Sequence, residues 1–444
     1  MSRTSEHRRG RTRGWRVRVT VLSAATISFG VVVATAGTVG AQTAPHAKSA
    51  HFRGAPIHFA MTNSYTGTYA TFGAAGWAGA TTAAYVINHA GGINGHQLIL
   101  DKVDDVGDPV EAVPNVRQDI AVNHPLVMIG ESSLTVFAVK PITDAAGIPD
   151  FIAAGSLSFD KNRDPLLWRI TPSDGSLAGA MAIEAHLKGY KTGAILFQSG
   201  SPDNQLAPDL QKTFTHLGGK ITSLQYFSVN QTSYLSEIQK TLAGKPQVIF
   251  LDAPATSAAT IMNGFVQLNN LNDQFIGTDL TAGSDWTAAV TPAVAHAHLI
   301  SIQAGANAAG PAVTSFLHYY AIANHVSAAQ AVAGANAGAN YVYDAVTEVA
   351  LAMDHAHSSN PKVWNRQVQD VTNPPGTVVT NYVAGLRLLK QGKKINWTGA
   401  AGPDDYNQYH NEFGSYNGTQ VSLDGTAVKT LNVITAAALK EAIK

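Results

Sequence analysis

Gly130-Glu131-Ser132-Ser133-Leu134 is where this 444-residue chain gathers the groups best able to do chemistry. An apolar run at 125–130 ends there, and a helix is expected to start near Ser133. Two chemistries are open to such a turn. The first is nucleophilic. The five residues nearly spell the elbow G-x-S-x-G, and His89-Ala90-Gly91-Gly92 upstream has the composition of an oxyanion loop. Leu134 stands where the elbow needs its second glycine, and the His-Gly-Gly segment follows a helix where the hydrolase loop follows a strand. An esterase built on Ser132 is therefore the weaker alternative. The second is anion binding. A helix N-terminus exposes unpaired N–H groups and positive potential, to which Ser132 and Ser133 add hydroxyl donors. A carboxylate suits that edge; a serine that only caps its helix accounts for the same letters.

Other candidates are thinner. Asp104-Asp105 has the composition of a metal carboxylate pair, and His296-x-His298 and His355-x-His357 that of imidazole pairs. The second pair falls in an expected helix, where residues i and i+2 diverge. The chain has no cysteine, no H-E-x-x-H, no P-loop and no G-x-G-x-x-G after a strand. Neither a metal nor any cofactor is expected. Thirty basic residues balance thirty acidic ones, so nucleic acid is not an expected partner.

These residues need elements to position them. Apolar runs at 57–61, 97–103, 125–130, 149–154, 166–171, 193–198, 221–229, 247–253 and 274–279 read as strands. Helix-length segments lie between them, among them 74–88, 174–188, 204–217 and 255–270. Continuous apolar strands alternating with helices predict parallel sheets covered on both faces. In "HAGGINGHQLIL", residues 89–100, Gly91 or Gly92 ends the first helix and Asn94-Gly95 turns the chain into a strand. Asp108-Pro109 reads as an N-cap followed by proline in the first turn.

The series runs twice, over 56–160 and 166–280, which predicts two doubly wound α/β lobes. A strand at 298–305 follows, then helices at 311–324, 328–357, 361–371 and 378–391, and a last strand at 430–435. Residues 56–165 and 298–360 are assigned to lobe 1, and 166–297 and 361–444 to lobe 2, with crossover strands forming a hinge. The Ala- and Gly-rich runs 304–312 and 328–340 suit close helix packing. At the N-terminus seven arginines between Arg3 and Arg18 precede an uncharged stretch, 19–41, that ends Val39-Gly40-Ala41. Residues 1–41 therefore read as a secretory signal cleaved after Ala41, or else as an uncleaved anchor. Residues 42–55 read as a flexible spacer. No heptad run is present, so a monomer is expected.

"TGTYATFG", "INHAGGINGHQLIL", "VDDVGDPVEAV", "KPITDAAGIP" and "GAAGPDDYNQYHN" occur in that order. Together they resemble the periplasmic substrate-binding proteins of the branched-chain amino acid class, components of ABC importers, over roughly 56–444. The resemblance implies two lobes joined by three crossover strands, a small ligand trapped as they close, and a membrane permease as partner. It also implies roles for particular residues. Ser132 and Ser133 match the place of a serine that binds the ligand's α-carboxylate. Ala154, through its carbonyl, and Ser156, through its hydroxyl, match further ligand contacts. Phe72 matches an aromatic position of the side-chain pocket, with Tyr69 nearby, and Asp279 falls near an acidic counter-ion of an ammonium group. Where the family carries two tyrosines this chain has Pro202 and Pro254-Ala255, a departure that bears on an amino-acid ligand but not on binding as such. The expected protein is an exported, non-catalytic receptor for a small amino acid, amide or carboxylate. A ligand-sensing ectodomain that signals through a partner is the alternative on the same fold.

Overall fold

The computed structural model describes residues 52–67, 69–199, 206–271, 274–305, 310–334, 338–412 and 414–443. The expected signal segment 1–41, most of the spacer 42–55, and Pro202 lie outside them. The first sheet is parallel, in the order β2-β1-β3-β4-β5. Its strands are β1 (Ile57–Asn63), β2 (Leu98–Asp104), β3 (Met128–Ile129), β4 (Asp150–Ile152) and β5 (Leu167–Arg169). Alternation decides which face each residue serves. Ile57, Phe59 and Met61 enter one core with α1 (Ala70–His89), whereas Ala60 enters a second core with α2 (Pro109–Asn123) and α3 (Val136–Ala146). The turn after α1 forms as expected: Asn94 and Gly95 both have positive φ, while Ile93 and His96 exchange N–H···O bonds of 2.9 and 2.8 Å. Asp108 caps α2, accepting from the Val110 amide at 2.8 Å.

The second lobe repeats the scheme with α4 (Asp174–Leu187), β6 (Thr192–Gln198), α5 (Leu206–His216), β7 (Lys220–Phe227), α6 (Leu235–Leu242) and β8 (Val248–Asp252). α7 (Ala255–Gln267), β9 (Gln274–Gly277), α8 (Ser284–Val290), α9 (Pro292–His298) and β10 (Leu299–Gly305) complete it. Ile195, Phe197 and Phe250 pack on the α4–α5 face, and Leu196, Ile249 and Leu251 on the other. Both faces are covered, which is why these strands are continuously apolar.

Beyond β10 come α10 (Pro311–Ala323), α11 (Ala328–Gly334), α12 (Asn340–Ala356), α13 (Pro361–Trp364) and α14 (Val368–Thr372). β11 (Thr377–Val379), α15 (Tyr382–Leu389), β12 (Ile395–Trp397), β13 (Ser415–Val421), β14 (Val428–Ile434) and α16 (Ala436–Ala442) end the chain. Three expectations are corrected here. β10, placed by sequence in the first lobe, pairs with β9 and β13 in the second sheet, whose order is β14-β13-β10-β9-β8-β6-β7. Residues 361–406, placed in the second lobe, instead bury Trp364, Tyr382, Trp397 and Tyr406 in the first lobe's core, where α1 and α12 offer apolar cover. The helix expected over 328–357 is two, α11 and α12. Close helix packing holds: a Cβ on Gly79 of α1 would lie 2.0 Å from the Ala339 carbonyl oxygen.

The chain passes between the sheets after β5, after β10 and before β13. The first and third passages run side by side. Arg169 N–H donates to His410 O at 2.9 Å, Glu412 N–H donates to Arg169 O at 3.3 Å, and the Asn411 amide reaches Phe159 O and Asp160 O.

Candidate functional site

β3 ends at Gly130, whose φ is +107°, and a Cβ there would come within 2.9 Å of Thr62 O. Only glycine makes that turn without strain. The chain then enters Glu131, fully buried, and half-buried Ser132 and Ser133. The helix expected from Ser133 begins at Val136, because Ser133–Thr135 form a turn. Ser132 O accepts from Thr135 N and Val136 N at 3.2 Å, and Ser132 Oγ accepts from Leu134 N at 3.3 Å. Ser133 Oγ accepts from Ser156 N at 3.2 Å, and Ser156 Oγ accepts from Ser158 N at 3.3 Å. Each hydroxyl keeps its own hydrogen for donation. Ala154 is fully buried among Val136, Ile152, Phe159 and Leu167.

Asp105 ties this turn to its neighbours. Fully buried, it accepts from Ser64 Oγ at 2.7 Å, Thr135 Oγ1 at 2.9 Å and Gly107 N at 2.9 Å. Asp104 turns to the other side, accepting from Tyr65 N at 2.9 Å and Thr66 Oγ1 at 2.7 Å. The acidic pair therefore braces two loops. Tyr69 precedes α1, and a Cβ on Gly107 would meet both its ring (3.3 Å) and Leu134 (3.5 Å). Phe72, one turn on, is 41% exposed. Ser132, Ser133, Ala154, Ser156 and Tyr69 thus share the C-terminal edge of the first sheet.

Asp279 stands at the corresponding edge of the second sheet, exposed, opening a short 3-10 turn after β9. Pro254 precedes α7 and caps nothing with its side chain. Two residues missed by sequence join the edges. Asp174, at the start of α4, donates its N–H to Gly155 O at 2.8 Å, and a Cβ on Gly155 would lie 1.7 Å from Asp174 Oδ1. Tyr416 donates its hydroxyl to Ser173 O at 3.1 Å. Burial raises its phenol, and the charges of Asp174 and Asp279 raise it further. The Ser-Asp-Gly start of α4 was readable only as a helix cap.

Behind the edge, the third passage lays Asp404 and Glu412 against Asp344 and Glu348 of α12, all buried. Asp344 accepts from Ala400 N (2.9 Å) and Ala401 N (2.6 Å), and Glu348 accepts from Tyr406 Oη at 2.9 Å. Arg169, 3% exposed, is the cation; it donates to Ser156 O at 3.2 Å and to Asp160 Oδ1 at 2.7 Å. Burial pushes all four carboxyls up, Glu348 to about 7.

A family model described as periplasmic binding protein matches residues 56–380. The chain is 30% identical over 208 residues to Leu/Ile/Val-binding protein homolog 3 of Brucella melitensis, covering 44% of this chain and 51% of that one. It is 36% identical over 96 residues to an amino acid binding protein of Pseudomonas aeruginosa, covering 21% and 25%. The chain spans 25% to 62% of the lengths of these curated relatives and of a further homolog from Brucella suis. Among solved structures, the leucine binding protein LivK of Thermotoga maritima matches with a TM-score of 0.70 at 17% identity, over 85% of this chain and 99% of that one. LivJ of Streptococcus pneumoniae, in complex with isoleucine, matches at 0.67 and 17%, over 86% and 99%. A solute binding protein of R. palustris, in complex with benzoate, matches at 0.66 and 16%, over 86% and 96%. At these identities the structural likeness establishes the fold.

Proposed function

We propose a function from the premise that the chain belongs to the periplasmic binding protein family. It captures a small carboxylate-bearing solute between two closing lobes, outside the cytoplasm, and presents it to the membrane permease of an ABC importer. The observation that carries this reading is the 3.2 Å bond from Ser156 N to Ser133 Oγ, which joins two turns into one edge that carries three serine hydroxyl donors. Such an edge suits a carboxylate, whose oxygens only accept. Ser132 and Ser133 take the carboxylate, the Ala154 carbonyl and Ser156 hydroxyl hold the adjoining polar atoms, and Tyr69 and Phe72 cover the rest. Asp279 arrives with the second lobe and meets an ammonium group where the solute has one. Lobe closure excludes water and strengthens each of these contacts. Residues 1–41 direct export, and no described helix is long and apolar enough to cross a membrane.

The test is a melting screen with leucine, isoleucine, glutamine, benzoate and 4-hydroxybenzoate. A ligand at about 100 times its Kd adds roughly 2.7 kcal/mol to stability. A melting temperature unmoved by every compound, together with solution scattering that shows no compaction, would defeat the reading.

A further inference from the structure

Glu131 and Asp150 are both 0% exposed, and none of their four carboxyl oxygens accepts a hydrogen bond from an N–H or O–H of the other described residues. The two carboxyls lie against each other. Two carboxylates in contact have no donor between them, so the contact is favourable only when one oxygen carries a proton. With it, an O–H···O⁻ bond forms, short and strong. Without it, two like charges share a site closed to water. The surroundings favour keeping the proton. Lys140 of α3 is the cation nearby, and it is already paired with Asp144 and Asp164. Asp105 adds a further negative charge on the Glu131 side.

The placement gives this pair a role. Glu131 leads directly into the Ser132–Ser133 turn, and Asp150 begins the strand that runs into the Ala154–Ser156 turn. The backbones meet as well, where Ala153 N–H donates to Glu131 O at 2.8 Å. We propose that Glu131 and Asp150 are positioning residues, whose shared proton clamps the two turns together and holds the solute-binding edge in shape. The clamp rests on the binding function assigned to that edge. Burial raises both groups, Asp150 to about 7, and the Asp150 charge lifts Glu131 higher still. The two carboxyls therefore keep a proton between them in neutral solution, and the pair titrates as a unit. Alkaline solution strips the second proton and drives the turns apart.

Infrared spectroscopy at pH 8 tests this on the whole protein. Wild type shows the stretch of a protonated carboxyl that Glu131→Gln lacks. Glutamine supplies a permanent N–H donor to Asp150, so Glu131→Gln keeps the Ala153 and Ser156 amides protected from exchange at high pH, where wild type loses protection beyond the intrinsic rate. With isoleucine and benzoate as probes, wild-type affinity falls more steeply than that of Glu131→Gln, by about a further tenfold for each pH unit above the point where Glu131 ionises. A spectrum without the difference band, or the same pH profile in both proteins, overturns the clamp. If neither probe binds, the binding assignment fails while the spectrum and the amide exchange still decide the clamp. Should Glu131→Ala not fold, Glu131→Gln alone carries the test.

Discussion

At the first sheet's edge, Asp105 takes hydrogen bonds from Ser64, Thr135 and Gly107, and Ser133 takes one from Ser156, so that neighbouring loops become one braced piece. At the second sheet's edge, Thr278 donates to Asp252, Thr281 pairs with Ser301, and Ser257 accepts from Asn230 and Tyr234. Those polar groups serve their own lobe, and Asp279 stands exposed beyond them. The contrast separates two jobs. On the proposed function, a preorganised first edge lowers the ordering cost of binding, and the exposed Asp279 selects among solutes. Damage to the first edge should cost more stability than loss of the Asp279 charge does.

The largest effect is expected from Asp105→Ala, which leaves three donors unpaired in a buried site and should lower unfolding free energy by about 3 kcal/mol or more. A urea titration within error of wild type would erase the contrast. Acidity comes next. Asp344, Glu348, Asp404, Glu412, Glu131 and Asp150 all have native pKa values raised by burial. The native state therefore binds more protons than the unfolded chain from about pH 4 to pH 7. Their contribution is fully present below that window and is lost as pH rises through it. His410, whose pKa burial lowers, and Asp104, Asp164 and Asp424, whose pKa values hydrogen bonds lower, work in the opposite sense, the three carboxylates mainly below this window. The melting temperature should thus be several degrees lower at pH 8 than at pH 5, and a rise would show that these carboxyls are solvated.

Asp279→Asn should weaken binding of a zwitterionic amino acid by roughly 10- to 100-fold, the loss of one charge-assisted contact. If calorimetry instead finds benzoate bound equally well by both proteins, the solute lacks an ammonium group. That result would fit the prolines that replace the family's tyrosines. The smallest effect should come from Ser132→Ala, about a fivefold loss for either class of ligand.

Much of this could be read from the chain because burial on both faces writes strands such as "AILF" and "VIFLD" as unbroken apolar runs. β13 could not, since "SYNGTQV" carries Asn, Gly and Gln on a strand near the sheet edge and reads as a turn. The start of α3 lies three residues later than expected because the turn opened by Ser132 precedes it, and Thr135, the last residue of that turn, donates its hydroxyl to Asp105. That bond spans thirty positions. The braces of the site are of this kind: Asp105 with Ser64, Glu131 with Asp150, Asp174 with Gly155. Each joins residues far apart in sequence, and a local pattern cannot register them. Lobe membership of residues 361–406 failed for the same reason, because residues 364–406 pack on α1, far earlier in the chain, as well as on α12.

The backbones of Arg169 and residues 410–412 knit two of the linking segments into a ribbon, and the Arg169 guanidinium grips Ser156 O at the first sheet's edge. A ribbon flexes easily across its plane but resists its strands sliding past one another. The jaws should accordingly swing about a fixed axis with little sideways slip, and the pivot is itself fastened to the surface it must align.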